Sequence, residues 1–134
     1  MKRLEGITWQ EWRDLAPDLQ RHRAIIEALT RSIVLPEQMI EYLLKVADMT
    51  GMEVLGKPYA DTAHEMGYGG WLHWKASVDL DTSGITVYSY PRGYSKPPLV
   101  TVDIYTCKAF DLKVVVDYTS QFFDVTEIVA KTVE

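Results

Sequence analysis

Cysteine occurs once in the 134 residues, at Cys107, so no disulfide can form within the chain and a reducing, cytoplasmic setting is the expectation. Long apolar runs are missing. No stretch approaches the roughly 20 residues needed to cross a bilayer, which argues against a membrane partner. The first fifteen residues mix charged and aromatic side chains and have none of the apolar core of a secretory signal. Positive charge is also in deficit. Fourteen Lys and Arg stand against nineteen Asp and Glu, a net charge of −5, so the chain as a whole does not attract nucleic acid. Histidine occurs three times, and His22, His64 and His73 with Glu65 match no metal-ligand spacing. The loop Gly67-Tyr68-Gly69-Gly70 does not join a strand to a helix start, so it is not a phosphate cradle.

What remains is an ordinary globular balance, 47% apolar and 25% charged, in a length that suits one domain. Residues 1–18 read as an N-terminal helical appendage. Thr8 and Glu11 have capping-box spacing ahead of a short helix over Trp9–Leu15, and Pro17 ends it. Residues 19–134 form the main domain. From Gln20 to Leu29 the period is two, with His22, Ala24, Ile26 and Ala28 on one face of a strand. Pro36 and Glu37 open a helix with the apolar stripe Met39, Ile40, Leu43, Leu44 and Ala47, closed by Gly51. A short strand over Met52–Leu55 leads into a loop over Gly56–Gly70. Leu72 to Leu80 alternates most clearly, and a turn over Asp81–Gly84 leads into the strand Ile85–Tyr90. Leu99–Cys107 is another strand, Asp111–Phe123 a helix, and Val125–Val133 a closing strand. This order predicts an α+β, two-layer sandwich: an antiparallel sheet with two helices on one face. A sheet covered on one side only predicts a homodimer with sheets facing.

Several local strings are similar to the small prokaryotic S-adenosylmethionine decarboxylases. Gln20-Arg21-His22-Arg23-Ala24-Ile25-Ile26-Glu27 resembles that family's first strand, G-R-H-L-x-V-E. Thr82-Ser83-Gly84-Ile85-Thr86-Val87-Tyr88-Ser89-Tyr90-Pro91-Arg92 aligns without a gap to E-S-H-L-S-I-H-T-W-P-E. Val102-Asp103-Ile104-Tyr105-Thr106-Cys107-Lys108 resembles V-D-x-F-T-C-G and is the most specific piece. The resemblance covers about Leu19 to Lys131. It implies an S-adenosylmethionine decarboxylase-like fold, a role in polyamine (spermidine) biosynthesis, and a pyruvoyl cofactor made by autocatalytic cleavage before Ser83. It also makes Cys107 the proton donor. Tyr88 stands at the position of the assisting histidine, and a phenol that titrates near 10 is a poor base at neutral pH. Arg92 stands where a glutamate would hold the ribose, and it can only donate hydrogen bonds. Thr82 and Gly84 replace the glutamate and histidine that flank the serine. Four of six functional positions differ, which counts against self-cleavage.

The candidate catalytic residues are therefore Ser83, Cys107 and Tyr88. The candidate ligand-binding residues are Arg92, Trp71, His73 and Tyr90, with the aromatic groups suited to an adenine ring. The bland readings are a turn for Ser83, a small buried hydrophobe for Cys107, and cross-strand packing for the aromatics. Two functions follow as expectations. The first is a decarboxylase-like protein that acts on or binds S-adenosylmethionine or a related ligand. If active, it is a pyruvoyl-dependent lyase. The alternative is a non-processing homologue with a ligand-binding, regulatory or pyruvoyl-free role and no cofactor.

Overall fold

Alternation decides which side of each strand is buried, and the buried sides assemble one sheet. The computed structural model describes residues 8–63, 73–81, 83–93 and 95–133. Its elements are β1 (His22–Thr30), α1 (Pro36–Met49), β2 (Val54–Ala63), β3 (His73–Leu80), β4 (Ser83–Tyr90), β5 (Leu99–Thr106), α2 (Leu112–Phe122) and β6 (Val125–Val133). The six strands lie in the order β2-β3-β4-β5-β1-β6, and every neighbouring pair is antiparallel. Helix α1 covers β2, β3 and β4, while α2 covers β6 and β1. The expected α+β architecture is present, with one sheet face under the helices and the other open. No helix among the described residues is long and apolar enough to cross a membrane.

The core lies between the sheet and the two helices. Ala24, Ile26, Val78, Ile85, Val87, Val100 and Val102 face it from the strands, and Met39, Tyr42, Leu43 and Val46 face it from α1. Tyr42 joins the helices. Its hydroxyl lies 2.6 Å from Thr119 Oγ1 of α2, and its ring packs on Phe123 at 4.6 Å between centroids. Pro36 begins α1 where its missing N–H costs nothing, and the Gln38 side chain accepts from the Leu35 N–H at 2.8 Å. Gly51 ends the helix region at φ +69°, a conformation most side chains avoid.

Four expectations need correction. Trp9–Leu15 is not helical, and Trp9 and Leu15 are 85% and 77% exposed. Seven residues without a packed face cannot offset helix nucleation. The Asp14 carboxylate instead accepts from the Ala16 N–H at 2.9 Å, a local bond that competes with helix. In α1 the buried stripe is rotated toward Tyr42 and Val46, leaving Leu44 42% exposed. The strand expected over Met52–Leu55 is ten residues long and includes Gly56 to Ala63. Its register shifts between Leu55 and Tyr59, around Gly56 at φ +69° and Pro58, so a bulge carries what reads as loop chemistry. Finally, Ser83 is the first residue of β4, paired with Leu80 and Thr106, and is not a turn residue. Trp71, Leu72, Thr82 and residues 64–70 lie outside the described residues.

Candidate functional site

Ser83 shares its side of β4 with Ile85, Val87 and Ser89, the helix-covered side. Sheet register sets it opposite Thr106, which in turn is opposite His22, giving a polar row across β4, β5 and β1 at one end of the sheet. The Ser83 hydroxyl donates to Thr106 Oγ1 at 2.7 Å. Thr106 is fully buried. Its oxygen also accepts from the Lys108 N–H at 2.9 Å and donates to the Lys108 carbonyl at 3.3 Å. Lys108 Nζ then reaches the Gly51 carbonyl at 2.8 Å. Ser83 is thus bonded into a network that fixes the bend after β5 and ties it to the end of α1. Cys107 lies within that bend, half-buried, as a free thiol.

Tyr88 and Tyr90 stand on the opposite, open side of β4. Tyr90 stacks on His73 of β3 at 4.7 Å between ring centroids, and Tyr88 follows Tyr90 at 6.3 Å. Arg92 leaves β4 at the same corner with φ +67°, followed by Gly93 at +79°. His73 Nδ1 and Arg92 Nε are both buried without a hydrogen-bond partner. Three of the seven candidate residues, His73, Tyr88 and Tyr90, therefore share one corner of the open face, and Arg92 follows two residues beyond Tyr90 at the same end of β4. Ser83 and Cys107 do not join them. At about 3.4 Å per residue, Tyr88 lies about 17 Å along the strand from Ser83 and on the other face.

A shallow depression of about 410 Å³ on the open face has Gly84, Thr86 and Tyr105 among its lining residues. The Arg23 guanidinium lies 4.8 Å above the Tyr105 ring there. A Cβ built on Gly84 meets no atom within 4 Å, so crowding at Cβ does not exclude a side chain at that position. Among the described residues no group of three metal-ligating side chains comes together.

A solved structure shares this architecture. The crystal structure of the adenosylmethionine decarboxylase from Aquifex aeolicus VF5 matches with a TM-score of 0.60, over 87% of this chain and 90% of that chain, at 16% sequence identity. No protein-family model matches the sequence, and no curated protein is significantly similar to it. The chain has an adenosylmethionine decarboxylase-like fold. Identity that low carries the architecture and no more.

Thr106, Lys108 and the neighbours of His22 escape a reading of the sequence. Their signal was weak: Thr106 is a single hydroxyl inside the Val102–Lys108 string, and only the strand register reveals that it meets Ser83.

Proposed function

We propose that this chain binds S-adenosylmethionine or a related amino-acid ligand at the open-face corner of His73, Tyr88, Tyr90 and Arg92, and that Ser83 stays a serine. One observation carries the second half: the Ser83 hydroxyl donates to a neutral, buried hydroxyl rather than to a base. Among the described residues no imidazole or carboxylate is hydrogen-bonded to it, and Tyr88 is on the far face. These surroundings do not fit the conversion of Ser83 to a pyruvoyl group. The corner fits a ligand of mixed character. Tyrosine faces attract a sulfonium cation and stack on a purine. The Arg92 guanidinium offers the planar donors that suit a carboxylate. Leu55, Tyr59 and Tyr105, exposed on the open face, support a second copy of the chain across it.

Denaturing mass spectrometry tests the serine. The expected result is one full-length species of 15.3 kDa. Fragments 1–82 and a pyruvoyl-blocked 83–134 would overturn the non-processing reading. Titration calorimetry with S-adenosylmethionine tests the corner. Binding that Arg92→Met weakens at least tenfold is expected, and no heat at millimolar ligand would refute it.

A further inference from the structure

We infer that a second site, at the start of β1, binds a small carboxylate or phosphate anion. It rests on none of the residues proposed for the open-face corner. Three consecutive residues, Arg21, His22 and Arg23, line one cavity of about 430 Å³ in a chain whose net charge is −5. Two of its lining groups are incomplete. Arg21 Nε and His22 Nε2 are buried and have no hydrogen-bond partner. A buried polar nitrogen left unpaired is costly, and native structures rarely keep one unless a ligand, ion or water completes it. Both atoms belong to residues that line this one cavity, and with the proton on His22 Nε2 a single anion bound there gives both an acceptor.

The rest of the cavity suits an anion with an apolar body. Trp12, Phe110 and Leu112 supply apolar wall, and a volume of this size is in the range of small-molecule sites. Asp14 is the one acid among its described lining residues. Asp14 forms an ion pair with the Arg21 guanidinium, whose NH2 group also lies 3.4 Å from the Ala16 carbonyl. The pair holds the guanidinium in place and leaves Nε unused. Asp14 thus shows that a carboxylate is accepted here, and it competes with any ligand for the same cation. Its side chain remains 44% exposed, so it can yield.

The test is calorimetric titration of the full-length protein with inorganic phosphate and, separately, with benzoate, at low salt. One-to-one binding of either anion is expected, and the tighter of the two names the head group. Arg21→Gln should weaken it at least tenfold, and His22→Gln by a smaller factor. Asp14→Asn should strengthen it several-fold, because it removes the internal competitor and leaves the cation in place. That gain is the readout a purely structural Arg21–Asp14 pair would not produce. Added salt should weaken binding as exposed charges are screened. Arg92→Met should leave it unchanged, which separates this site from the open-face corner. Absence of binding to both anions at tens of millimolar, in the wild-type and Asp14→Asn proteins alike, would overturn the inference. So would loss of binding in Arg92→Met, because a single site would then explain both ligands.

Discussion

Thr106→Val keeps the branching and nearly the volume of the side chain and removes one oxygen. That oxygen is fully buried and accepts two hydrogen bonds, from Ser83 Oγ at 2.7 Å and from the Lys108 N–H at 2.9 Å. Its own proton goes to the Lys108 carbonyl at 3.3 Å, a weaker contact. Each lost bond costs about 0.5–1.5 kcal/mol, and the half-exposed Ser83 hydroxyl can recover part of its share from water. The expected loss is about 1–3 kcal/mol, a large fraction of the roughly 5–15 kcal/mol that holds a domain of this size. Urea unfolding should show a lower midpoint at an unchanged slope. A double-mutant cycle with Ser83→Ala isolates the pair, with an expected coupling of about 0.5–1.5 kcal/mol. Coupling below about 0.3 kcal/mol, within the scatter for independent sites, would refute a structural role for the Ser83 hydroxyl.

Burial holds the Tyr42 hydroxyl well above the ordinary phenol range, against the smaller opposing effect of its bond to Thr119, and burial also raises Tyr118. The Tyr42 ring stays protonated in the fold where the unfolded chain begins to ionise, so its contribution to stability is full below pH 10 and is lost as pH rises above it, by up to about 1.4 kcal/mol per pH unit. Tyr118, only partly buried, adds in the same direction and much less. Tyr42→Phe should cost about 1 kcal/mol at neutral pH and flatten the alkaline loss, and an unchanged alkaline slope in urea titrations would count against the assignment. Arg92 holds a left-handed φ of +67°, so Arg92→Asn, which tolerates that conformation, should raise stability by about 0.5–1 kcal/mol while weakening the ligand. A loss on both measures would mean that the Arg92 side chain supports the fold.

Much of the fold was legible because its signal is periodic. Alternation in Val100, Val102 and Ile104 and in Ile85 and Val87 gave the buried faces directly, and each of these side chains is in the core. Helix α1 was harder, since Tyr42 reads as a surface residue until Thr119 and Phe123 are brought beside it. The bulge in β2 hid a strand behind Gly56 and Pro58, residues whose local chemistry says loop. The site was half legible. His73, Tyr88, Tyr90 and Arg92 could be named because they are distinctive residues near the ends of two alternating strands. Their separation from Ser83 follows from parity and strand length, but the partnership of Ser83 with Thr106 depends on which strands are neighbours. Strand order places β5 beside β1, with Leu99 opposite Leu29, 70 residues earlier in the chain, and no local pattern encodes that contact.

The architecture and the chemistry of this chain respond to different constraints. The sheet survives as long as the helix-facing residues stay apolar and of suitable volume, or hydrogen-bonded within the chain as Ser89 and Thr106 are, and that requirement says nothing about the open side. Gly84 has open space beside it, Arg92 sits in a strained conformation, and polar nitrogens go unpaired at both ends of the sheet, His73 and Arg92 at one and Arg21 and His22 at the other. None of these features improves packing. Strain and incomplete hydrogen bonding persist where something outside the folded chain compensates for them. Ser83 shows the reverse: its hydroxyl is satisfied within the chain, by Thr106, and nothing about it calls for a reaction. The unsatisfied groups, rather than the retained serine, are therefore where ligand chemistry should be sought.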